Sequence, residues 1–275
     1  MLKPILVAVE GSDLDRTALA HALRLAAHGE ELILVRVIEI GLDLRDSYAV
    51  TECTEEEALQ ALRELGQTAG RELTYQVRYG RPEQEIVAAA TAAQAQLIVL
   101  VTHGRTGLVR WFEGSVAERV ARESPCPVWL ARGSHPAEPV RKALVPLDWS
   151  REAEEALPYA RQHLAEGGEL ILATALHLLP DPPEGESLEH YARRYLDELV
   201  ERLRQVGVRA ASVLAEGPVA GALVHSATQE GANLVVIASH GRSGPSRWLL
   251  GSVAEELVRD SPCPILVLGP QARRG

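Results

Sequence analysis

Short apolar runs alternate with longer segments of helical periodicity along the whole chain. Each apolar run has the length of one buried strand, and each helical segment is long enough to connect two parallel strands. The pattern therefore predicts two α/β units of five strands each. Strands are predicted at about 4–9, 32–38, 73–79, 97–101 and 127–131, and again at about 142–147, 170–176, 208–215, 234–238 and 264–268.

The segments between the strands carry helix signals. "DLDRTALAHALRLAAH" at 13–28 places Leu19, Leu23 and Ala26 on one helical face. "TEEEALQALRELGQ" begins with a capping-box pattern at Thr54 and Glu57. "LLPDPPEGES", after the second strand of the second half, has the composition of a loop.

The chain repeats itself once, with a period of 137 or 138 residues. "HGRTGLVRWFEGS" at 103–115 returns as "HGRSGPSRWLLGS" at 240–252, with eight of thirteen positions identical. Glu10 corresponds to Asp148 in the same way. A period of this length indicates a duplicated domain. The seam is "RGSHPAEPV" at 132–140, which predicts domains at 1–133 and 140–275.

Composition narrows the function classes. The chain is 46% apolar with a formal net charge of −10, so most of its surface repels nucleic acid and anionic membranes. No run approaches the length of a membrane span, and the first residues turn polar too early for a secretory signal, so we expect a cytoplasmic protein. Cys53, Cys126 and Cys263 have no ligand or disulfide spacing, so neither zinc nor a disulfide is predicted.

The repeated stretch lies between the fourth strand and the last helix of each half. Backbone N–H groups at a helix N-terminus attract anions, and glycine lets a phosphate approach the backbone closely. Arg105, Arg110, Arg242 and Arg247 would add the positive charge that the rest of the surface lacks. The alternative is plain helix capping after a turn, since Ser115 with Glu118 and Ser252 with Glu255 have capping-box spacing.

Several pieces together resemble the universal stress protein family. They are "ILVAVEGSD", "GRPEQEIVAAA" and Gly104, nine residues, Gly114-Ser115, then "ALVPLDWSREAEEAL", "EGPVAGALVHSA" and Gly241, nine residues, Gly251-Ser252. The resemblance covers nearly the whole chain. It implies two tandem open α/β sandwiches of the adenine nucleotide alpha-hydrolase-like kind, each a five-stranded parallel sheet with helices on both faces.

The resemblance to the ATP-binding branch of this family also implies ATP, alone or with Mg²⁺, as the ligand of each half. The ATP-binding residues implied in the first half are Ala8, Glu10, Ser12, Val37, Leu100, Val101, His103, Gly104, Arg105, Gly114, Ser115 and Val116. Those implied in the second half are Pro146, Asp148, Ser150, Ala175, Ile237, Ala238, His240, Gly241, Arg242, Gly251, Ser252 and Val253.

The chain departs from the family pattern at two kinds of position. The first glycine of the ATP signature is Val101 in one half and Ala238 in the other, where a side chain would crowd the nucleotide. The usual acid at the end of the first strand is Glu10 in the first half but Asp148 in the second. Both departures are milder in the second half, which we expect to bind ATP at least as tightly. Either carboxylate could instead serve a helix N-terminus.

Three functions remain open at this level. The first is an ATP-binding, nucleotide-responsive regulator in stress adaptation, with hydrolysis at most slow, because no catalytic residue is identifiable. The second is a structural or interaction module that has kept the fold with closed pockets. The third is an enzyme of the wider hydrolase-like group. The edge strands "CPVWLA" and "CPILVL" predict that the two halves pair as a pseudo-dimer within one chain, and that the whole chain could form a homodimer.

Overall fold

A computed structural model describes residues 3–43, 48–51, 53–102, 115–133, 135–176, 182–239 and 251–272. The chain divides into two compact units, one of residues 1–138 and one of residues 139–273. Each unit contains five mutually parallel strands with buried apolar side chains.

The first unit is a parallel sheet whose strands alternate with helices. The strands that form it are β1 (Ile5–Val9), β2 (Leu32–Ile38), β5 (Thr74–Tyr79), β6 (Leu97–Thr102) and β7 (Val128–Arg132). They lie side by side in the order β5-β2-β1-β6-β7. The chain moves outward from β1 in one direction, and then returns to the other side of β1 for its last two strands. This change of direction between β1 and β6 is a topological switch point.

The helices of the first unit connect these strands. They are α1 (Asp15–Leu25), α2 (Glu55–Gly66), which continues into a short 3-10 turn at Gln67–Ala69, α3 (Pro82–Ala92) and α4 (Ser115–Glu123). Right-handed crossovers place α1 and α2 on one face of the sheet, and α3 and α4 on the other. The capping box predicted at Thr54 and Glu57 is confirmed: each side chain bonds the backbone N–H of the other residue.

The second unit repeats this plan. Its strands are β8 (Val140–Pro146), β9 (Leu164–Ala175), β10 (Arg209–Ala215), β11 (Leu234–Ala238) and β12 (Ile265–Leu268), in the order β10-β9-β8-β11-β12. Its helices are α5 (Arg151–Glu154), α6 (Ala156–His163), α7 (Leu188–Gln205), α8 (Val219–Gln229) and α9 (Ser252–Asp260). The predicted fold class is therefore confirmed: two tandem α/β units, each built on a five-stranded parallel sheet.

The central strands are buried on both faces, which explains why they read as continuous apolar runs. Every residue of β1, β6, β7, β11 and β12 is buried. A strand covered by helices on both sides has no polar face, so its sequence does not alternate. This burial fixes the carboxyl ends of β1 and β6, and of β8 and β11, against a rigid core.

Two features differ from the predicted element boundaries. The first unit contains an antiparallel hairpin of β3 (Ile40–Asp43) and β4 (Tyr48–Thr51) after β2, which the apolar pattern did not predict. Its strands have four residues each, too short to show a clear alternation. In the second unit β9 begins at Leu164, several residues before the predicted strand, because "LAEGGEL" continues the strand with polar residues.

Candidate functional site

The candidate site of the first half lies where β1 and β6 end. Val7 of β1 pairs with Val99 of β6, so the carboxyl ends of these two strands are level. Ala8 lies near the end of β1 and Glu10 directly follows it, while Leu100 and Val101 lie near the end of β6. Open α/β sheets bind ligands outside such strand ends at the switch point. The structure thus brings these four predicted residues together.

A small cavity lies at this switch point. Its volume is about 10 Å³, roughly the room for one water molecule. Val101, the residue that stands at the family's glycine position, forms part of the wall. Its lining consists of Ala8, Val9, Glu10, Leu14, Asp15, Ile86, Leu100 and Val101. Leu14, Asp15 and Ile86 were not among the predicted site residues.

Asp15 organises the loop between β1 and α1. Its buried carboxylate accepts hydrogen bonds from the backbone N–H groups of Glu10 (3.0 Å), Gly11 (2.7 Å) and Ser12 (3.1 Å). Burial raises the pKa of this carboxyl from 3.8 to about 6, although the N–H groups of Glu10 and Gly11 lower it. The nearby Glu10 carboxylate raises the pKa further, and Arg36 lowers it. An internal carboxylate therefore holds three donors at the candidate site.

Arg36 of β2 covers the same loop. Gly11 has φ +91°, a conformation that favours glycine, and a Cβ placed on it would lie 2.6 Å from Nη2 of Arg36. The guanidinium thus occupies the place that a side chain at position 11 would take. Arg36 adds a positive charge next to Glu10 and Asp15. The sequence did not predict a role for Arg36, because a single arginine within an apolar run belongs to no motif with a defined spacing.

The acid of the second half is held differently. One carboxylate oxygen of Asp148 accepts hydrogen bonds from the backbone N–H of Ser150 at 3.0 Å and from the Ser150 hydroxyl. The Ser150 oxygen in turn accepts from the backbone N–H of Ala153 at 3.0 Å and so caps α5. Ala153 occupies the position that corresponds to Asp15, 138 residues earlier. The second half therefore has no carboxylate at that position.

Trp149 follows Asp148 with φ +69°, which is unusual for a residue other than glycine. A tryptophan in this region costs on the order of 1–3 kcal/mol. Its indole stacks on Tyr191 (centroids 4.3 Å apart) and on Tyr195 (4.2 Å), both on α7. Trp149 corresponds to Gly11, so the two halves share a backbone conformation and differ in what fills the space beside it.

The start of α9 forms the other side of the second candidate site. Gly251 is the N-cap residue, its backbone N–H donates to the Ser239 carbonyl at 3.0 Å, and Ser252 is exposed at the first helical position. The predicted capping box at Ser252 and Glu255 is therefore wrong: glycine at the N-cap position makes no side-chain cap. In the first half α4 begins at the corresponding residue, Ser115. The capping prediction for Ser115 with Glu118 lies outside the described side chains.

The remaining predicted residues fall into two groups. Val37, Val116, Pro146, Ala175, Ile237 and Ala238 are buried, Ser12 and Val253 are partly exposed, and Ser150 is buried at the start of α5. His103, Gly104, Arg105, Gly114, His240, Gly241 and Arg242 lie outside the described residues. The predictions missed Asp15 and Trp149, which lie beside the predicted site residues. The sequence did mark both positions, because Asp15 aligns with Ala153 and Trp149 aligns with Gly11, so each differs between the two halves.

The described part of the chain has neither a membrane-spanning helix nor a cluster of metal-ligating side chains. Among the helices described, none is long and apolar enough to cross a bilayer. Within the same residues, no group of three or more histidine, cysteine, aspartate or glutamate side chains is placed to hold a metal ion.

Both halves of the chain match the same family of known proteins. The sequence model of the universal stress protein family matches residues 1–132 and 139–269. A universal stress protein of Mycolicibacterium smegmatis is 28% identical over 241 residues, covering 81% of this chain and 80% of the relative. One of Methanocaldococcus jannaschii is 33% identical over 141 residues, covering 48% of this chain and 83% of the relative.

A solved structure of a universal stress protein from Archaeoglobus fulgidus has the same fold. Its TM-score is 0.71 at 21% sequence identity, and the match covers 96% of this chain and 97% of that one. At 21% identity the match shows a shared fold, and it does not indicate a shared ligand.

Proposed function

Because this chain belongs to the universal stress protein family, with one family domain in each half, we propose that each half binds ATP. The protein would act in the cytoplasm as a nucleotide-responsive regulator in stress adaptation, with hydrolysis at most slow. ATP could be held alone or with Mg²⁺.

One observation carries this proposal: in both halves an acidic residue follows the first strand at the switch point, and the last helix begins at the serine of the repeated Gly-Ser pair. In the second half Asp148 follows β8, and the adjacent strand β11 precedes the segment that ends at Gly251 and α9. The first half has Glu10 after β1, and α4 begins at Ser115. Carboxylates accept hydrogen bonds from ribose hydroxyls, and the first N–H groups of a helix attract phosphate.

Different residues would bind different parts of the ATP molecule. Glu10 and Asp148 would accept the ribose hydroxyls. The backbone N–H groups of Gly114, Ser115 and Val116, and of Ser252 and Val253, would donate to the phosphates. The N–H of Gly251 donates to the Ser239 carbonyl, so Gly251 would contribute by letting a phosphate approach the backbone closely. Ser252 is exposed at the first helical position, and Gly251 caps α9 without a side chain. The exposed Ser252 would therefore offer its hydroxyl and its N–H group to a ligand.

A second candidate function has support from the first half. The cavity there has a volume of about 10 Å³, whereas a ligand pocket typically measures about 300–1,000 Å³. Val101 and Asp15 both lie in its wall. A first half that binds no nucleotide would serve as a structural or interaction domain, while the second half retained the site.

Calorimetric titration of the full-length protein with ATP tests the proposal. Two nucleotides per chain are expected. A stoichiometry of one, removed by Gly251→Leu and retained by Gly114→Leu, would assign the interaction role to the first half. Absence of any binding would contradict the proposal and favour an interaction module in both halves.

A further inference from the structure

The outer face of α7 (Leu188–Gln205) is polar along its whole length. The opposite side of this helix packs on β9 and β10. Four pairs of neighbouring residues are exposed at intervals of four: "EH" at 189–190, "RR" at 193–194, "DE" at 197–198 and "ER" at 201–202. An open groove of about 1020 Å³ follows the same face, and the described residues that line it all belong to α7. Side chains four residues apart form ridges that pack between those of another helix, so this face has the geometry of a docking surface.

The charges on this face change sign about its midpoint, between residues 195 and 196. Arg193 and Glu198 are equally far from the midpoint along the chain, and so are Arg194 and Asp197. The two outer matches are Glu189 with Arg202, and His190 with Glu201, the last being an ion pair only when the imidazole is protonated. A two-fold axis through the midpoint would place each residue opposite its match. The face is therefore complementary in charge to an antiparallel copy of itself.

The acids at the centre of the face lack partners within one copy of the chain. Among the residues that the structure describes, the side chains of Asp197 and Glu198 form no hydrogen bond or ion pair. Asp197 is also one helical turn from Glu201, and like charges at this spacing repel. The nearby Arg193 pairs with Glu189 at 2.9 Å, but these side chains are 60% and 59% exposed, so little is lost when the arginine changes partner. A second copy would supply the missing cations.

The corresponding helix of the first half lacks this pattern. α2 has 12 residues, and its exposed ionisable side chains are four glutamates and a single arginine. Two copies of such a face would repel each other. The self-complementary pattern therefore belongs to α7 alone of the two, and the duplication of the domain does not account for it.

We propose that α7 binds α7 of a second copy of this chain, antiparallel, with the two-fold axis between residues 195 and 196. Arg193 then lies opposite Glu198 of the partner subunit, and Arg194 opposite Asp197 of the partner subunit. Symmetry makes each of these contacts twice and limits the assembly to two chains. Exposed ion pairs contribute little singly, and the net charge of −10 on each chain opposes association, so the dimer is weak and sensitive to salt. The inference is independent of nucleotide binding.

Sedimentation equilibrium of the full-length protein, over a range of concentrations and at two salt levels, tests the inference. A monomer–dimer equilibrium is expected, and its dissociation constant should rise on the order of tenfold between about 0.05 M and about 0.5 M NaCl. Arg193→Glu should weaken the dimer on the order of tenfold or more, because it places two carboxylates opposite each other at both symmetric contacts. Circular dichroism and thermal unfolding check that each variant is folded.

Two double variants separate the register of the contacts from net charge. Arg193→Glu with Glu198→Arg exchanges two facing charges, so the dimer should recover to within about threefold of the unsubstituted protein. Arg193→Glu with Glu201→Arg is the matched control: its composition and net charge are the same, but its new arginine lies opposite His190, so the dimer should stay weak. The inference is wrong if the chain stays monomeric at low salt, if Arg193→Glu leaves the dimer unchanged, or if the exchanged pair recovers no better than the control.

Discussion

The carboxylate of Asp15 accepts a 2.7 Å hydrogen bond from the backbone N–H of Gly11. The same carboxylate also accepts from the backbone N–H groups of Glu10 and Ser12. Three donors at a strand end resemble the nests that bind anions in other proteins, and here the anion comes from the chain itself. In the second half Ala153 stands at the corresponding position, and the N–H of Ser150 bonds the carboxylate of Asp148 instead. The turn after the first strand is therefore built differently in the two halves.

The ionisation of Asp15 should make the stability of the first half depend on pH. Its pKa rises from 3.8 to about 6 on folding, mainly because of burial. A raised pKa means that its stabilising contribution is present below pH 4 and is lost as the pH increases through 6. The free energy of unfolding relative to Asp15→Asn should fall by roughly 3 kcal/mol at most between pH 4 and pH 8. Urea unfolding at several pH values measures this difference.

Asp13→Asn is the matched control for this experiment, because Asp13 is an exposed carboxylate of the same loop. Its difference from the unsubstituted protein should vary little over the same range. If the Asp15 difference increased with pH instead, the three N–H groups would outweigh burial and the pKa would lie below its ordinary value.

Gly11 and Arg36 should be energetically coupled. Gly11→Ala places a methyl group 2.6 Å from the guanidinium and also forces a left-handed backbone on alanine. The backbone part should cost about 1–2 kcal/mol, and the clash should add about 1 kcal/mol. In an Arg36→Ala background only the backbone part should remain. A double-mutant cycle on urea unfolding would therefore give a coupling of about 1 kcal/mol. Additive effects would contradict the packing of Arg36 over Gly11.

Asn233 ties the start of the second unit to its fourth strand. Its Oδ1 accepts from the backbone N–H groups of Arg141 (3.0 Å) and Lys142 (3.1 Å), and its Nδ2 donates to the Pro139 carbonyl at 2.7 Å. Asn233→Ala removes all three bonds and should lower the free energy of unfolding of the second half by about 1–3 kcal/mol.

Gln96 occupies the corresponding position in the first half, and the two backbone N–H groups bond alike, to Pro4 and to Lys142, at 2.9 Å. Gln96→Ala therefore controls for the backbone environment and should change stability by less than about 0.5 kcal/mol. Equal losses in both variants would mean that the Asn233 side chain contributes nothing beyond its position.

The sequence predicted the fold better than the site, for a physical reason. Strands such as Ile5–Val9 are buried on both faces, and burial of that kind selects apolar residues in an unbroken run. The site depends on side chains from separate elements that meet only in three dimensions. Arg36 comes to Gly11 from the neighbouring strand, and Tyr191 comes to Trp149 from α7. Neither contact corresponds to a recognisable residue spacing in the sequence.

The helix starts show a second limit of sequence reasoning. Threonine or serine followed three residues later by glutamate predicts a capping box at both Thr54 and Ser252, yet of these two only Thr54 is an N-cap. At α9 the preceding Gly251 takes the cap position, so the helix begins one residue later than the pattern indicates. A glycine immediately before the serine was the signal that distinguishes the two, because glycine is itself an acceptable N-cap.

The two nucleotide sites should differ in affinity, with the second half at least as tight as the first. Val101 lies in the wall of the small cavity, and its branched side chain is stiff at χ1, whereas Ala238 adds a single methyl group. The difference should be on the order of 1 kcal/mol, the cost of one misfitting methylene. Gly251→Leu should therefore remove the tighter site and Gly114→Leu the weaker one. A Cβ at Gly251 lies 3.5 Å from the Ser239 carbonyl, an ordinary contact, so the helix start should survive the substitution. If Gly251→Leu kept the tighter site, Val101 would not be the obstruction.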